Sequence, residues 1–169
     1  MKGSNRKRKI WLVVPGLVLL AALMLTGVAS AASPALQQTG DTALENFLMR
    51  EQIAFNDQGV RLQAANTITG KAQDWINALK AAGKDTSALE SALSTYKTQI
   101  ASAQSNHDTA GQVLTAKSGF DSNGKVTDRK AALQTVINAG KPLRQAHLTL
   151  VQSTIDFRTA VQTWRNANK

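Results

Sequence analysis

The sequence contains no cysteine among its 169 residues. Disulfide bonds, thiolate metal sites, covalent haem attachment and a lipid-modified cysteine anchor are therefore all excluded. Aromatic residues make up only 5% of the chain, which is too few for a surface that stacks nucleic-acid bases. Packing of aliphatic side chains must therefore supply the stability, and nucleic acid is not an expected partner.

Recognisable catalytic motifs are also absent from the sequence. There is no G-x-S-x-G motif and no phosphate-binding glycine loop. No close pair of carboxylates falls on one predicted core face, as general acid–base catalysis would need. We therefore predict a protein that is not an enzyme and that uses no cofactor or metal.

The N-terminal segment has the pattern of an export signal. Five basic residues lie within the first nine, and an uncharged run follows from residue 10 to about residue 29. Ala29 and Ala31 occupy the two positions that a signal peptidase reads, so that Ala32 would follow the cut. We predict a signal peptide over residues 1–31. An uncleaved N-terminal membrane anchor is the alternative, because the apolar run is long enough to span a bilayer.

Either outcome places the remaining chain outside the cytoplasm, because the basic flank stays inside. The protein is thus expected to be secreted, or extracytoplasmic in the periplasm or at the cell surface. Beyond residue 31 the chain has 15 basic and 11 acidic residues, a net charge of +4 instead of +9. Residues 32–41 are polar and carry Pro and Gly, which predicts a linker before a folded domain over 42–169.

Apolar spacing predicts three long helices and no strand. The expected helices span about residues 42–82, 87–117 and 128–167. The connections between them are short, and short connections place consecutive helices antiparallel to each other. The predicted fold is an all-α, up-down-up antiparallel three-helix bundle, elongated and coiled-coil-like, with helices about 50 to 60 Å long.

The second and third helices have the clearest core positions. In the second helix the apolar spacing alternates between 4 and 3 without interruption: Leu89, Leu93, Tyr96, Ile100, Ala103, His107, Ala110 and Leu114. In the third helix an apolar residue recurs every seven positions: Val136, Leu143, Leu150, Phe157 and Trp164. This phase continues through Pro142, so we predict one helix, with a kink near Pro142 and Thr127 as its N-cap.

His107 and His147 are the only histidines, and both are predicted on core faces. The antiparallel layout places His147 about nine residues from the level of His107, or roughly 13 Å. Ligands of one zinc ion must all lie about 2 Å from it, so no shared metal site is expected. Gln58 is the expected hydrogen-bond partner of His107, and Thr69 is that of His147. Met49 is expected to lie far from both rings, which argues against haem.

The segment DSNGKVTD, which starts at Asp121, has the composition of a calcium loop. An EF-hand loop needs an oxygen ligand at its fifth position, glycine at its sixth and glutamate at its twelfth. The chain has Lys125, Val126 and Ala132 there. We interpret the segment as a turn between helices, with Phe120 and Val126 covering the end of the core.

Charge is uneven along the chain, since residues 129–169 contain seven basic residues and one acidic residue. Three of the basic residues share one edge of the predicted third helix: Arg144, Arg158 and Arg165. This edge is a candidate contact for a polyanion, either an anionic membrane surface or a cell-wall polymer. The alternative is a solvated face on which the arginines pair with Asp85 or Glu90.

Two functions fit these observations. The first is a non-enzymatic binding, scaffolding or chaperone-like module of the cell envelope or exterior, with an unknown protein partner or a second copy of itself. One contiguous exposed patch on the first helix, formed by Leu44, Phe47, Phe55 or Trp75, would favour it.

The second function is a small-ligand-holding helical bundle, which a closed interior pocket with a polar lining would favour. Its expected lining consists of the polar residues at core positions: Glu51, Gln58, Thr69, His107, His147 and Thr154.

Overall fold

The computed structural model describes residues 34–168, and side chains from residue 39 onwards. Three helices account for nearly all of this range: α1 (Pro34–Ala81), α2 (Ser87–Ala116) and α3 (Arg129–Ala167). Each helix packs against both others, and within residues 34–168 the only β pairing is an isolated bridge between Phe120 and Val126. The predicted three-helix bundle is confirmed.

The start of α1 differs from the prediction, because residues 34–41 are helical and do not form a linker. Pro34 is compatible with this start, since the first turn of a helix has no intrahelical partner for its N–H groups. Gly40 leaves room for the guanidinium of Arg129, which approaches from α3 and lies 3.9 Å from Asp41. Residues 1–33, with the predicted cleavage site at Ala29, Ala31 and Ala32, lie outside the described residues.

The predicted core positions of α2 are all buried, from Leu89 to Leu114. In α3 the predicted stripe is buried at Val136, Leu143 and Leu150 and half-buried at Phe157 and Trp164. A second stripe of small residues beside it is fully buried: Ala132, Ala139, Ala146 and Ser153. These small side chains let α2 and α3 approach closely, which makes this pair the most extensive helix contact of the bundle.

Pro142 does not break α3, which is one helix of 39 residues. A proline inside a helix removes one backbone hydrogen bond. Pro142 is itself buried and lies between the buried Ala139 and Leu143, so packing on both sides holds the helix together. The N-cap, however, is Asp128 and not Thr127, because the Asp128 carboxylate accepts from the backbone N–H groups of Lys130 and Ala131.

The core consists of two apolar clusters. One contains Leu62, Ile76, Leu89, Tyr96 and Leu150, and the aromatic rings of Trp75, Phe157 and Trp164 pack against it. The other contains Leu48, Leu114, Phe120, Val136 and Leu143. Between the two clusters lies a buried polar layer formed by Gln58 and His107.

Candidate functional site

The polar layer between the two clusters joins all three helices. The Gln58 side-chain amide donates to the Leu143 carbonyl of α3 at 2.9 Å. Its oxygen lies 3.2 Å from His107 Nδ1 on α2, which confirms the predicted partner of His107. Because that oxygen only accepts, the neutral ring carries its proton on Nδ1. Phe55 stacks on the imidazole with ring centroids 4.0 Å apart.

His107 is held in its neutral form by this environment. Burial lowers the pKa of His107 below its ordinary value of 6.5, and the Asp108 carboxylate opposes the change only in part. When folding lowers the pKa of a group, the unfolded chain binds the proton at a higher pH than the folded chain does. Protonation therefore favours the unfolded chain, and stability is lost as the pH falls below the ordinary pKa. His107 therefore makes the fold weaker in acid.

We expect the free energy of unfolding to fall as the pH is lowered from 6.5 toward the pKa of folded His107. Urea unfolding of the parent and of His107→Gln between about pH 7.5 and pH 5 measures this. As the pH falls, the free energy of unfolding should decrease more in the parent than in the variant. Subtracting the two curves removes Glu51, whose pKa is raised by burial and which acts in the opposite sense. Parallel curves would contradict the prediction.

His147 is not on the core face that the sequence predicts, because it is exposed. Thr69, its expected partner, donates instead to the Ala65 carbonyl of its own helix. The predicted axial separation from His107 is also wrong. The Tyr96 and Phe157 rings stack with their centroids 5.0 Å apart. This contact shows that α3 is displaced along α2 by several residues from the level that we expected. What separates the two histidines is direction, since His107 faces Gln58 of α1 and His147 lies on the surface.

The polar residues at core positions do not surround a closed cavity, and two of them, His147 and Thr154, instead line an open groove between α1 and α3. Thr154 donates to the Leu150 carbonyl of its own helix. Glu51 is half-buried beside Gly140, where an added side chain would come within 3.1 Å of its carboxylate. Gln58 and His107 bond to each other. These side chains are thus used within the fold.

The Asp121 loop is a turn, as predicted. One Asp121 carboxylate oxygen accepts from the backbone N–H groups of Asn123 and Lys125, both at 2.8 Å. The loop is fixed to α1 by Glu45, whose carboxylate accepts from the Lys125 side chain and the Val126 backbone. Phe120 and Val126 pack at the end of the core. The carboxylates that might have bound a cation are therefore occupied by hydrogen bonds.

Arg144, Arg158 and Arg165 are all exposed on α3. Across residues 39–168 the ion pairs are Lys80–Glu90, Lys125–Glu45 and Arg129–Asp41, so none of the three arginines is paired. The pairing with Asp85 or Glu90 is not formed, because Ser87 bonds to Asp85 and Lys80 to Glu90. The three positive charges are available to something outside the described chain.

An apolar groove lies between α1 and α3, and we call it the α1–α3 groove. It has a volume of about 340 Å³. The α1 wall consists of Arg61, Ala64, Ala65 and Ile68, and the α3 wall consists of His147, Leu150, Val151, Thr154 and Ile155. Tyr96 of α2 contributes its floor.

The small residues of α1 explain why this groove exists. Between the large core residues Leu62 and Ile76, the inward positions of α1 are Ala65, Thr69 and Ala72. Short side chains there cannot fill the space beside the larger residues of α3. The three-helix packing is therefore incomplete along this stretch.

Exposed apolar residues concentrate on the same two helices. Eight large hydrophobic side chains in the described part of the chain are exposed, and all eight lie on α1 or α3: Met49, Ile53, Val60, Ile68, Ile137, Leu148, Val151 and Ile155. Helix α2 contributes none of them. Three of the eight line the α1–α3 groove: Ile68, Val151 and Ile155.

The apolar patch on the first helix that would have favoured the scaffolding function is not formed by the residues named for it. Leu44 is buried, and Phe47, Phe55 and Trp75 are half-buried against the core clusters. The exposed apolar residues were not predicted, because each helix was expected to have one apolar stripe facing the core, and a second apolar stripe is also present. In α3 that stripe was visible in the spacing of Leu148, Val151 and Ile155, which are separated by 3 and 4 positions.

No group of three or more His, Asp or Glu residues within the described range is arranged to hold a metal ion. Among residues 34–168, no helix has the length and hydropathy needed to cross a membrane. No protein-family model, no curated protein and no solved structure matches the chain. Any function must therefore be inferred from the surface that the fold presents.

Proposed function

We propose that the protein is a non-enzymatic, extracytoplasmic binding or scaffolding module whose working surface is the α1–α3 groove. The observation that carries this proposal is that three large apolar side chains, Ile68, Val151 and Ile155, are exposed along one groove. Soluble proteins rarely leave apolar side chains in a contiguous exposed patch unless the patch binds something.

The extracytoplasmic part of the proposal is based on residues 1–31. Their order of basic residues, apolar run and alanines at the two peptidase positions is that of a secretory signal. The same residues would keep the protein at the outer face of the membrane if they were retained as an anchor.

The alternative of a small-ligand-holding bundle has less support. Four of its six expected lining residues, Gln58, Thr69, His107 and Thr154, make hydrogen bonds within the fold. The α1–α3 groove is an open surface feature with a mostly apolar lining, contributed by residues such as Ala64, Ile68 and Val151. A long partner such as a helix suits an open groove better than a small molecule, which a pocket usually encloses on most sides.

We expect the triple variant Ile68→Gln, Val151→Gln, Ile155→Gln to lose at least about tenfold in partner capture, because three apolar contacts are replaced by polar groups. Affinity purification from the envelope fraction of the host, quantified by mass spectrometry, measures this. The free energy of unfolding should change by less than about 0.5 kcal/mol per site, since the side chains are exposed.

The matched control is Met49→Gln, Ile53→Gln, Ile137→Gln, which removes three equally exposed apolar residues that do not line the groove. The control should retain the partners of the parent. Equal loss in both variants would mean that general surface hydrophobicity, and not the groove, is responsible. No loss in either would refute the proposed function.

A further inference from the structure

The rim of the α1–α3 groove carries positive charge at regular spacing. Arg144, Val151, Arg158 and Arg165 follow each other every seven residues in α3, so they share one side of the helix. Val151 lines the groove, which places the three arginines along the same edge. At 1.5 Å of rise per residue, Arg144 and Arg158 are about 21 Å apart, one on each side of Val151.

The α1 side of the groove does not neutralise this charge. Residues seven positions apart lie on the same side of a helix. Asp57 and Lys71 are seven positions from the groove residue Ala64, and Arg61 is seven positions from the groove residue Ile68. One acid and two bases therefore lie on these sides of α1, while Arg144 and Arg158 lie on either side of the groove residues of α3. None of these charged residues takes part in the ion pairs found across residues 39–168. The groove is thus an apolar channel with a basic rim.

A second copy of the chain does not fit this pattern well. In a twofold arrangement centred on Val151, Arg144 of one copy would lie opposite Arg158 of the other, because the two arginines are equally distant from Val151. Two such like-charged contacts form at each interface and oppose association. A complementary occupant must bring negative charge.

The shape of the surface favours a helix over a lipid bilayer. The groove is concave, with helical walls on both sides and Tyr96 at its floor. A helix of about 10 to 12 Å diameter can lie between two helices, and its apolar face can cover the exposed side chains of Ile68, Val151 and Ile155. Helix-in-groove recognition uses apolar residues at helical spacing on one face of the ligand.

We infer that the α1–α3 groove binds an acidic amphipathic helix of a partner protein, whose apolar face covers Ile68, Val151 and Ile155 and whose flanking Asp or Glu residues pair with Arg61, Arg144 and Arg158. This inference rests on the proposed function and adds the chemistry of the partner. It assigns two of the unpaired arginines of α3, Arg144 and Arg158, to partner selection.

The test uses the protein isolated from its host and two synthetic peptides. Each is a Leu/Ala amphipathic helix of about 21 residues, long enough to span from Arg144 to Arg158. One carries glutamates beside its apolar face, and the other has lysines at the same positions. Fluorescence anisotropy gives the Kd of each, and we expect the glutamate peptide to bind at least about tenfold more tightly.

The variant Arg144→Glu, Arg158→Glu should reverse this preference, because it replaces two attractions with two repulsions for the glutamate peptide. The control Lys84→Glu, Lys97→Glu makes the same change in net charge on exposed residues that do not line the groove. The control should keep the preference of the parent. Circular dichroism checks that both variants are folded.

Three results would overturn the inference. Equal binding of both peptides would leave the groove as a helix-binding site without charge selection, so the proposed function would survive alone. Binding of the parent to phosphatidylglycerol vesicles, lost in Arg144→Glu, Arg158→Glu, with no peptide bound would assign the rim to anionic lipid. Concentration-dependent dimerisation that Ile68→Gln, Val151→Gln, Ile155→Gln abolishes would assign the groove to a second copy.

Discussion

Replacing Gly119 with alanine is expected to lower the free energy of unfolding by about 4 kcal/mol or more, which is at the upper end for a single substitution. Gly119 lies in the connection between α2 and α3 and has a φ of 84°. A Cβ there would overlap the backbone nitrogen of Ala132 and lie 2.5 Å from the Asp128 carbonyl oxygen. Both obstacles are backbone atoms of the first turn of α3, so no side-chain rotation can relieve the overlap.

The Gly119 backbone also orders the start of α3. Its carbonyl accepts from the N–H groups of Thr127 at 2.9 Å and Asp128 at 3.2 Å. Asp128 in turn caps the helix. Displacing Gly119 should therefore disturb the connection and the cap together, which is why the expected effect exceeds that of a positive φ alone.

Gly83 provides the matched control. Its φ of 75° is close to that of Gly119, but nothing lies within 4 Å of a Cβ built on it. Gly83→Ala should therefore cost only the left-handed backbone conformation, about 1 to 2 kcal/mol. Urea unfolding of both variants measures the difference. An equal cost at the two positions would show that the close approach of Gly119 to α3 is not present in solution.

Leu150→Ala is expected to cost about 2 to 5 kcal/mol, because it removes a buried side chain and leaves a cavity. Leu150 is 7% exposed and belongs to the apolar cluster that contains Tyr96 and Ile76. It also lines the α1–α3 groove, so the cavity would open toward solvent there. Because neighbouring side chains can move into the cavity at the groove, the loss in free energy of unfolding should stay below the upper end of this range.

Leu148→Ala is the control for this substitution. Leu148 lies two residues before Leu150 on the same helix but is 51% exposed. Its replacement should change the free energy of unfolding by less than about 0.5 kcal/mol. Thermal or urea midpoints of the two variants test the assignment. If Leu148→Ala destabilises as much as Leu150→Ala, the orientation of α3 in the bundle is wrong.

The sequence predicts the fold well where apolar spacing is regular. The alternation of 4 and 3 between Leu89 and Leu114 allowed all the buried core positions of α2 to be named, because only one face of a helix can hold that spacing. The same reasoning carried α3 through Pro142. Two independent helices would have had no reason to keep a common phase across the proline.

Prediction failed where tertiary contacts override local signals. Proline and glycine suggested a linker over residues 32–41, yet α1 begins at Pro34 and Gly40 accommodates Arg129 from another helix. Nothing in the local sequence reveals that contact. The N-cap of α3 is one residue later than predicted, because the Asp128 carboxylate accepts from the N–H groups of Lys130 and Ala131.

The candidate site was harder to predict than the fold. Periodicity assigned His147 to a core face, but whether a position at the edge of a stripe is covered depends on the size of the residues on the neighbouring helix. Here Ala64 and Ala65, which line the same groove as His147, are too small to cover it. The groove is a property of three helices together, so the sequence of one helix cannot show it.

A photocrosslinking amino acid placed at Val151 in the living host tests the central claim most directly, which is that the α1–α3 groove is a protein-binding surface. The same amino acid at Thr98, exposed on α2, is the control. The account predicts a product with a separate polypeptide of one defined mass from Val151 and none from Thr98. No product from Val151, or equal products from both positions, would contradict it.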